Sequence, residues 1–171
     1  MKLFWNNNKT ELKLDDIRYE IENSENEKVI RVLEEIGIES VDEYGRTALI
    51  WACFAENIEL IVWLLEKNAN VNHQDNIGYS ALHFVAQERR TKSAEYLLAQ
   101  NAQTELKDKY ENTPLWTAVM NAKENLSIVE LLLKNKANLD NINKANRTPR
   151  QMAEKILGEE FQKLKRKLEL K

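Results

Sequence analysis

The sequence predicts an all-α protein, a solenoid in which short helix-turn-helix units stack one on the next. Three observations predict it. A Thr or Ser anchor recurs at Thr47, Ser80, Thr113 and Thr148, spaced 33, 33 and 35 residues apart. The first three anchors each open two apolar runs, and the second run always carries adjacent leucines: Leu64 and Leu65, Leu97 and Leu98, Leu132 and Leu133. Glycine and proline number only 4 and 2 in 171 residues, and 31% of the chain is charged. That composition suits helix and argues against disorder.

The elements follow in chain order within one domain. Residues 1–41 predict an N-terminal cap of two degenerate helices, "ELKLDDIRYEIEN" and "ENEKVIRVLEEI", the second closed by Gly37. Its Val29, Val32, Leu33 and Ile36 repeat at helical spacing. Three units then span 42–74, 75–107 and 108–142. Each begins with a polar turn ("DEYG", "DNIG", "DKYE"), where Asp, Asn and Gly favour tight turns and positive φ. The Thr or Ser that follows accepts a hydrogen bond from a free amide at a helix start. Proline, at Pro114 and Pro149, suits the first helical position. Five residues after each anchor, Ala52, Val85, Ala118 and Ala153 are small or apolar enough to let neighbouring helices approach.

The second helices read "NIELIVWLLEKNANVN", "TKSAEYLLAQNAQTE" and "LSIVELLLKNKANLD". Asn68 and Asn101 suit the left-handed conformation that stops a helix, and Lys136 tolerates it less well. Residues 143–171 predict a C-terminal cap repeat opened by "NKAN". One helix runs from Thr148-Pro149 to about Leu157, Gly158 breaks it, and a last amphipathic helix carries Phe161, Leu164 and Leu168.

The unit resembles the ankyrin repeat, whose signature is Thr-Pro-Leu-His-x-Ala. "SALHFV" at Ser80 to Val85 and "TPLWTA" at Thr113 to Ala118 carry the resemblance, which covers about residues 42–157. Three departures stand out. Asn or Lys replaces glycine after the second helix, one copy alone keeps the signature histidine, and "NAKENLS" adds two residues between the third pair of helices. The resemblance implies that His83 hydrogen-bonds between neighbouring tips and helices.

Catalytic chemistry finds little footing in the residues. His73, His83 and Cys53 have no spacing that suits zinc or a nucleophilic triad. Cys53 falls at a small-residue position of a first helix and reads as a buried, inert thiol. The glycines are too scattered for a phosphate-binding loop. Asp15-Asp16 and Glu34-Glu35 are adjacent and point apart on a helix. No metal and no cofactor are expected. Trp51, Trp63 and Trp116 follow the repeat and read as core or groove lining, whereas Trp5 has no assigned role.

A net charge of −3 does not indicate nucleic-acid binding. The one basic run, "KLKRKLELK", reads first as a solvated cap helix whose cations suit the helix C-terminus. Charge is nonetheless uneven: residues 1–42 hold 6 bases and 11 acids, and residues 144–171 hold 9 bases and 4 acids. With one cysteine, and no apolar run of signal or transmembrane length, the expected setting is cytoplasmic and away from membranes. A monomer is expected.

The function implied by the resemblance is non-catalytic protein-protein interaction on a concave face of tips and first helices. Carried over by position, the tip residues are Glu43, Tyr44 and Arg46; Asn76, Ile77 and Tyr79; Lys109, Tyr110 and Asn112. The matching helix positions are Phe54 and Ala55, Gln87 and Glu88, Met120 and Asn121. A small acidic array of this kind suits a bacterial toxin-neutralising immunity protein or an adaptor. The alternatives are a hydrolase or transferase on the same scaffold, or an effector acting on a host protein.

Overall fold

Helices of eight or nine residues are marginal alone, so these must draw their stability from stacking. A computed structural model describes residues 13–123 and 125–170. Trp5 and the first two residues of the first cap segment lie outside them. A 3₁₀ turn, Leu14–Ile17, leads into α1 (Arg18–Glu22) and α2 (Asn26–Ile36). Three pairs follow: α3 (Ala48–Ala55) with α4 (Ile58–Glu66), α5 (Ala81–Glu88) with α6 (Thr91–Ala99), and α7 (Pro114–Asn121) with α8 (Ser127–Lys134). A final span, α9 (Pro149–Lys167), closes the array. Among the described residues there are no strands, only isolated bridges pairing Val41 with Thr47 and Gln74 with Ser80.

The cap signals act as the sequence predicts. Thr47, Thr113 and Thr148 hydroxyls accept the amides of Ile50, Trp116 and Gln151 at 3.4, 3.4 and 3.2 Å. The second helices stop at Asn68, Asn101 and Lys136, with φ of 61°, 59° and 64°. The alanine after each stop donates back to a core leucine carbonyl: Ala69 to Leu64, Ala102 to Leu97, Ala137 to Leu132, all at 3.0 Å. Lysine thus makes the same left-handed stop as asparagine.

One expectation needs correction. The first cap helix is shorter than its apolar pattern suggests. The Asp16 carboxylate accepts the Lys13 amide and caps a 3₁₀ turn. Asn23 then ends α1 by donating its side-chain amide to the Tyr19 carbonyl. Gly158, with φ 49° and ψ −120°, leaves helical geometry, so the final span is two helices meeting at a kink, as the sequence predicts.

First helices pack on first helices, α1 to α3 to α5 to α7 to α9, and second helices α4, α6 and α8 form the parallel row. The core between the rows holds Leu49, Leu60, Ile61, Leu64, Leu82, Leu97, Leu115 and Leu132, none more than 1% exposed. Burial of that extent, at roughly 25 cal/mol per Å² of apolar surface, is the main force joining the units.

Candidate functional site

Between each second helix and the next first helix the chain projects a five-residue tip. One acidic or amide side chain builds each tip. Asp42 Oδ1 accepts the amides of Tyr44 and Arg46 at 2.9 and 2.8 Å. Asp75 does the same for Ile77 and Tyr79, Asp108 for Tyr110 and Asn112, and Asn143 for Ala145 and Arg147. The four are buried. The fourth tip residue is left-handed, with φ of 76° at Gly45 and 83° at Gly78. At Gly78 a Cβ would lie 2.9 Å from Asp108 Cα, so this glycine also permits close approach of the next tip.

Consecutive tips are tied together by one backbone hydrogen bond each. Asn76 donates to the Tyr44 carbonyl at 2.9 Å, Lys109 to Ile77 at 2.9 Å, and Lys144 to Tyr110 at 3.0 Å. Side chains add to the row. Asn76 Nδ2 donates to Glu43 O, Asn143 Nδ2 to Asn112 Oδ1, and His73 Nε2 to Gly45 O. The result is a continuous, internally fixed ledge.

The predicted contact residues divide on this ledge. Tyr44, Tyr110 and Met120 are exposed at 47%, 56% and 44%. Glu43, Asn76 and Lys109 are also exposed, while Ile77, Phe54, Ala55, Gln87, Glu88, Asn112 and Asn121 are half-buried. Tyr79, a predicted tip contact, is half-buried and turned inward. It stacks on His83 with ring centroids 5.0 Å apart and meets Phe84 edge-on at 5.4 Å, and burial raises its phenol pKa. Arg46 is likewise drawn into the fold. Its Nε meets Asp75 Oδ2 at 3.3 Å, and its guanidinium lies over the rings of Tyr44, Trp51 and Phe84 at 5.1, 5.1 and 4.9 Å. Arg46 thus staples its unit to the next, and Tyr79 packs its tip onto the first helix of its own unit.

His83 is fully buried and carries the inter-unit role that its position implies. The Ser80 amide donates to Nδ1 at 3.2 Å, so the proton sits on Nε2, which donates to Asn112 O at 3.2 Å. Burial lowers its pKa to about 4, holding the ring neutral. Cys53 is buried, and desolvation drives its thiol pKa strongly upward, away from the nucleophilic thiolate. Among the described residues no group of three His, Cys, Asp or Glu side chains is placed to hold a metal ion.

A family model described as "Ankyrin repeats (3 copies)" matches residues 19–75 and 55–146. The chain belongs to the ankyrin repeat family. It is 42% identical over 66 residues to a putative ankyrin repeat protein of Acanthamoeba polyphaga mimivirus, covering 38% of this chain and 16% of that protein. It is 33% identical over 97 residues to protein fem-1 homolog A-like of Mus musculus, covering 57% and 14%. An ankyrin repeat protein of Variola virus is 26% identical over 129 residues, covering 71% and 22%. The chain therefore spans less than a quarter of the length of each of these relatives.

Within the ankyrin register, two features escaped the sequence reading. Trp51 and Phe84 occupy the same turn of successive first helices. Phe54 bridges them edge-on, at 5.7 Å from Trp51 and 6.4 Å from Phe84. Trp51 also donates Nε1–H to Asp42 Oδ2 at 2.8 Å, and Arg18 lies over its ring at 4.7 Å. The matching position in the third ankyrin unit is Thr117, which breaks the aromatic series and hides it from a pattern search. The second feature is a cleft of about 430 Å³ lined by Tyr110, Asn112, Trp116, Asn143, Lys144 and Ala145.

Proposed function

We propose that this ankyrin array is a non-catalytic module that holds a partner protein on the concave face of its tips and first helices. Ankyrin repeats are a general protein-protein interaction scaffold. The observation that carries the reading is the exposure of Tyr44 and Tyr110 on a ledge already fixed by hydrogen bonds, together with exposed Met120 on α7. Large side chains on pre-organised backbone lose little entropy on binding, which is where hot spots form. A non-catalytic role is favoured because His83 is committed to the fold and the Cys53 thiol is buried.

Adaptor and toxin-neutralising roles both use such a face, and the partner's identity distinguishes them. No helix among the described residues is long and apolar enough to cross a membrane, in keeping with a partner met in solution. The test begins with affinity capture and identification of the bound protein, followed by binding assays with Tyr44→Ala, Tyr110→Ala and Met120→Ala. Loss of a central anchor is expected to weaken binding by about 2–4 kcal/mol. Unchanged affinity in all three, with binding abolished by substitution of Lys163, Lys165 and Arg166, would move the site to the C-terminal helix.

A further inference from the structure

We propose that the cleft between the third and fourth tips takes an acidic segment of the partner. Carboxylates of that segment meet Lys109, Lys144 and Arg147, and one bulky apolar side chain enters beside Tyr110 and Trp116. The inference rests on the concave-face reading and names the chemistry it recognises.

Charge supplies the first observation. Among the described residues no carboxylate lies within ion-pair distance of Lys109, Lys144 or Arg147, whereas eleven other Lys and Arg residues make such pairs. The three cations stand on adjacent tips and are exposed. Nearby anions are already engaged. Asp108 Oδ1 takes two backbone amides and its Oδ2 takes Asn112 Nδ2, while Glu111 faces Lys107 at 3.7 Å.

Register explains why Arg147 meets no carboxylate among the described residues. Arg147 holds the place that Arg46 holds three tips earlier, as the last residue of its tip. Arg46 is consumed by Asp75, the acid of the following tip. Among the described residues no further tip packs on Arg147, whose guanidinium donates to the Met152 thioether at 4.0 Å. Lys144 donates its ammonium to the Lys109 carbonyl at 2.7 Å, and the Lys109 ammonium lies 5.0 Å from the Tyr110 ring centre. Both are exposed and open to an incoming carboxylate.

Shape supplies the second observation. Trp116 is half-buried, Tyr110 is exposed, and Met120 stands one turn beyond Trp116 on α7. Cleft and cations together match a side chain such as Phe or Leu flanked by Asp or Glu. The excess of base over acid in residues 144–171 adds a field of the same sign.

The test measures fluorescence anisotropy of labelled peptides at about 50 mM salt, where such attraction is weakly screened. One peptide carries Glu-Asp-Phe-Asp-Glu, a second replaces the acids by Lys, and a third replaces Phe by Gly. The acidic Phe peptide is expected to bind about tenfold or more tighter than either twin and to weaken as salt rises. Lys109→Glu with Lys144→Glu should erase that preference, and Lys163→Glu with Arg166→Glu should leave it intact. Equal binding of the three peptides overturns the proposal, as does loss confined to the tail variant. Tighter binding of a single-stranded oligonucleotide than of the acidic peptide also overturns it and points to nucleic acid instead.

The captured partner separates this inference from the reading beneath it. A partner lost on Tyr44→Ala or Met120→Ala but indifferent to the charge reversal keeps the face and removes the acidic segment. A partner indifferent to both removes the face itself.

Discussion

Replacing Asp75 tests how the ledge is held. Its Oδ1 accepts the Ile77 and Tyr79 amides at 3.0 and 2.8 Å, and its Oδ2 meets Arg46 Nε at 3.3 Å. Hydrogen bonds to a charged group contribute about 1.5–3 kcal/mol each, and the tip's closeness to water places these at the low end. The partly exposed ion pair adds about 1 kcal/mol. Asp75→Ala should therefore destabilise by about 3–5 kcal/mol. Asp75→Asn keeps a carbonyl oxygen for both amides and should cost only about 1 kcal/mol. Asn143 does that work in the last tip, so the amide is a tested substitute within the same chain. Urea unfolding followed by circular dichroism reads both values. An asparagine variant as damaged as the alanine variant would refute the backbone-acceptor account. So would an alanine variant within about 0.5 kcal/mol of wild type.

Three further outcomes are expected. Leu132→Ala, at a fully buried position between the helix rows, should cost about 2–5 kcal/mol in urea unfolding. Tyr79→Ala should cost about 2–3 kcal/mol through its lost packing on His83 and Phe84, whereas exposed Tyr110→Ala should stay within about 0.5 kcal/mol by the same assay. His83 titrates near its ordinary 6.5 when unfolded and about 4 when folded, so the unfolded chain binds more protons between those values. Stability should fall by about 2 kcal/mol from pH 7.5 to pH 5, and thermal unfolding of His83→Gln should show that component missing.

Much of the fold was legible because its signals are local. A hydroxyl at a helix start, an asparagine at a helix stop and paired leucines act through their own neighbours, and the period reveals them by repetition. The tips were legible only as turns. Nothing in "DEYG" or "NKAN" says that the first side chain reaches two amides, because that depends on how the following residues fold back. Tyr79 and Arg46 were read only as tip contact residues for the same reason. Each ends its tip and turns inward: Arg46 onto Asp75 and Phe84 of the next unit, Tyr79 onto His83 and Phe84 of the helix that follows it. Position within one unit does not predict such contacts. The short α1 escaped because Leu14 and Ile17 fit a 3₁₀ turn as well as a helix, and Asp16 decided between them.

The concave face is tested most directly by side-chain oxidation footprinting of the free chain against its complex with the identified partner. Tyr44, Tyr110 and Met120 report on the tips and first helices, and Tyr96 and Trp63 on α6 and α4 report on the opposite row. The account predicts protection of the first three and unchanged labelling of the other two. Protection of Tyr96 and Trp63, with Tyr44, Tyr110 and Met120 labelled as in the free chain, would contradict it.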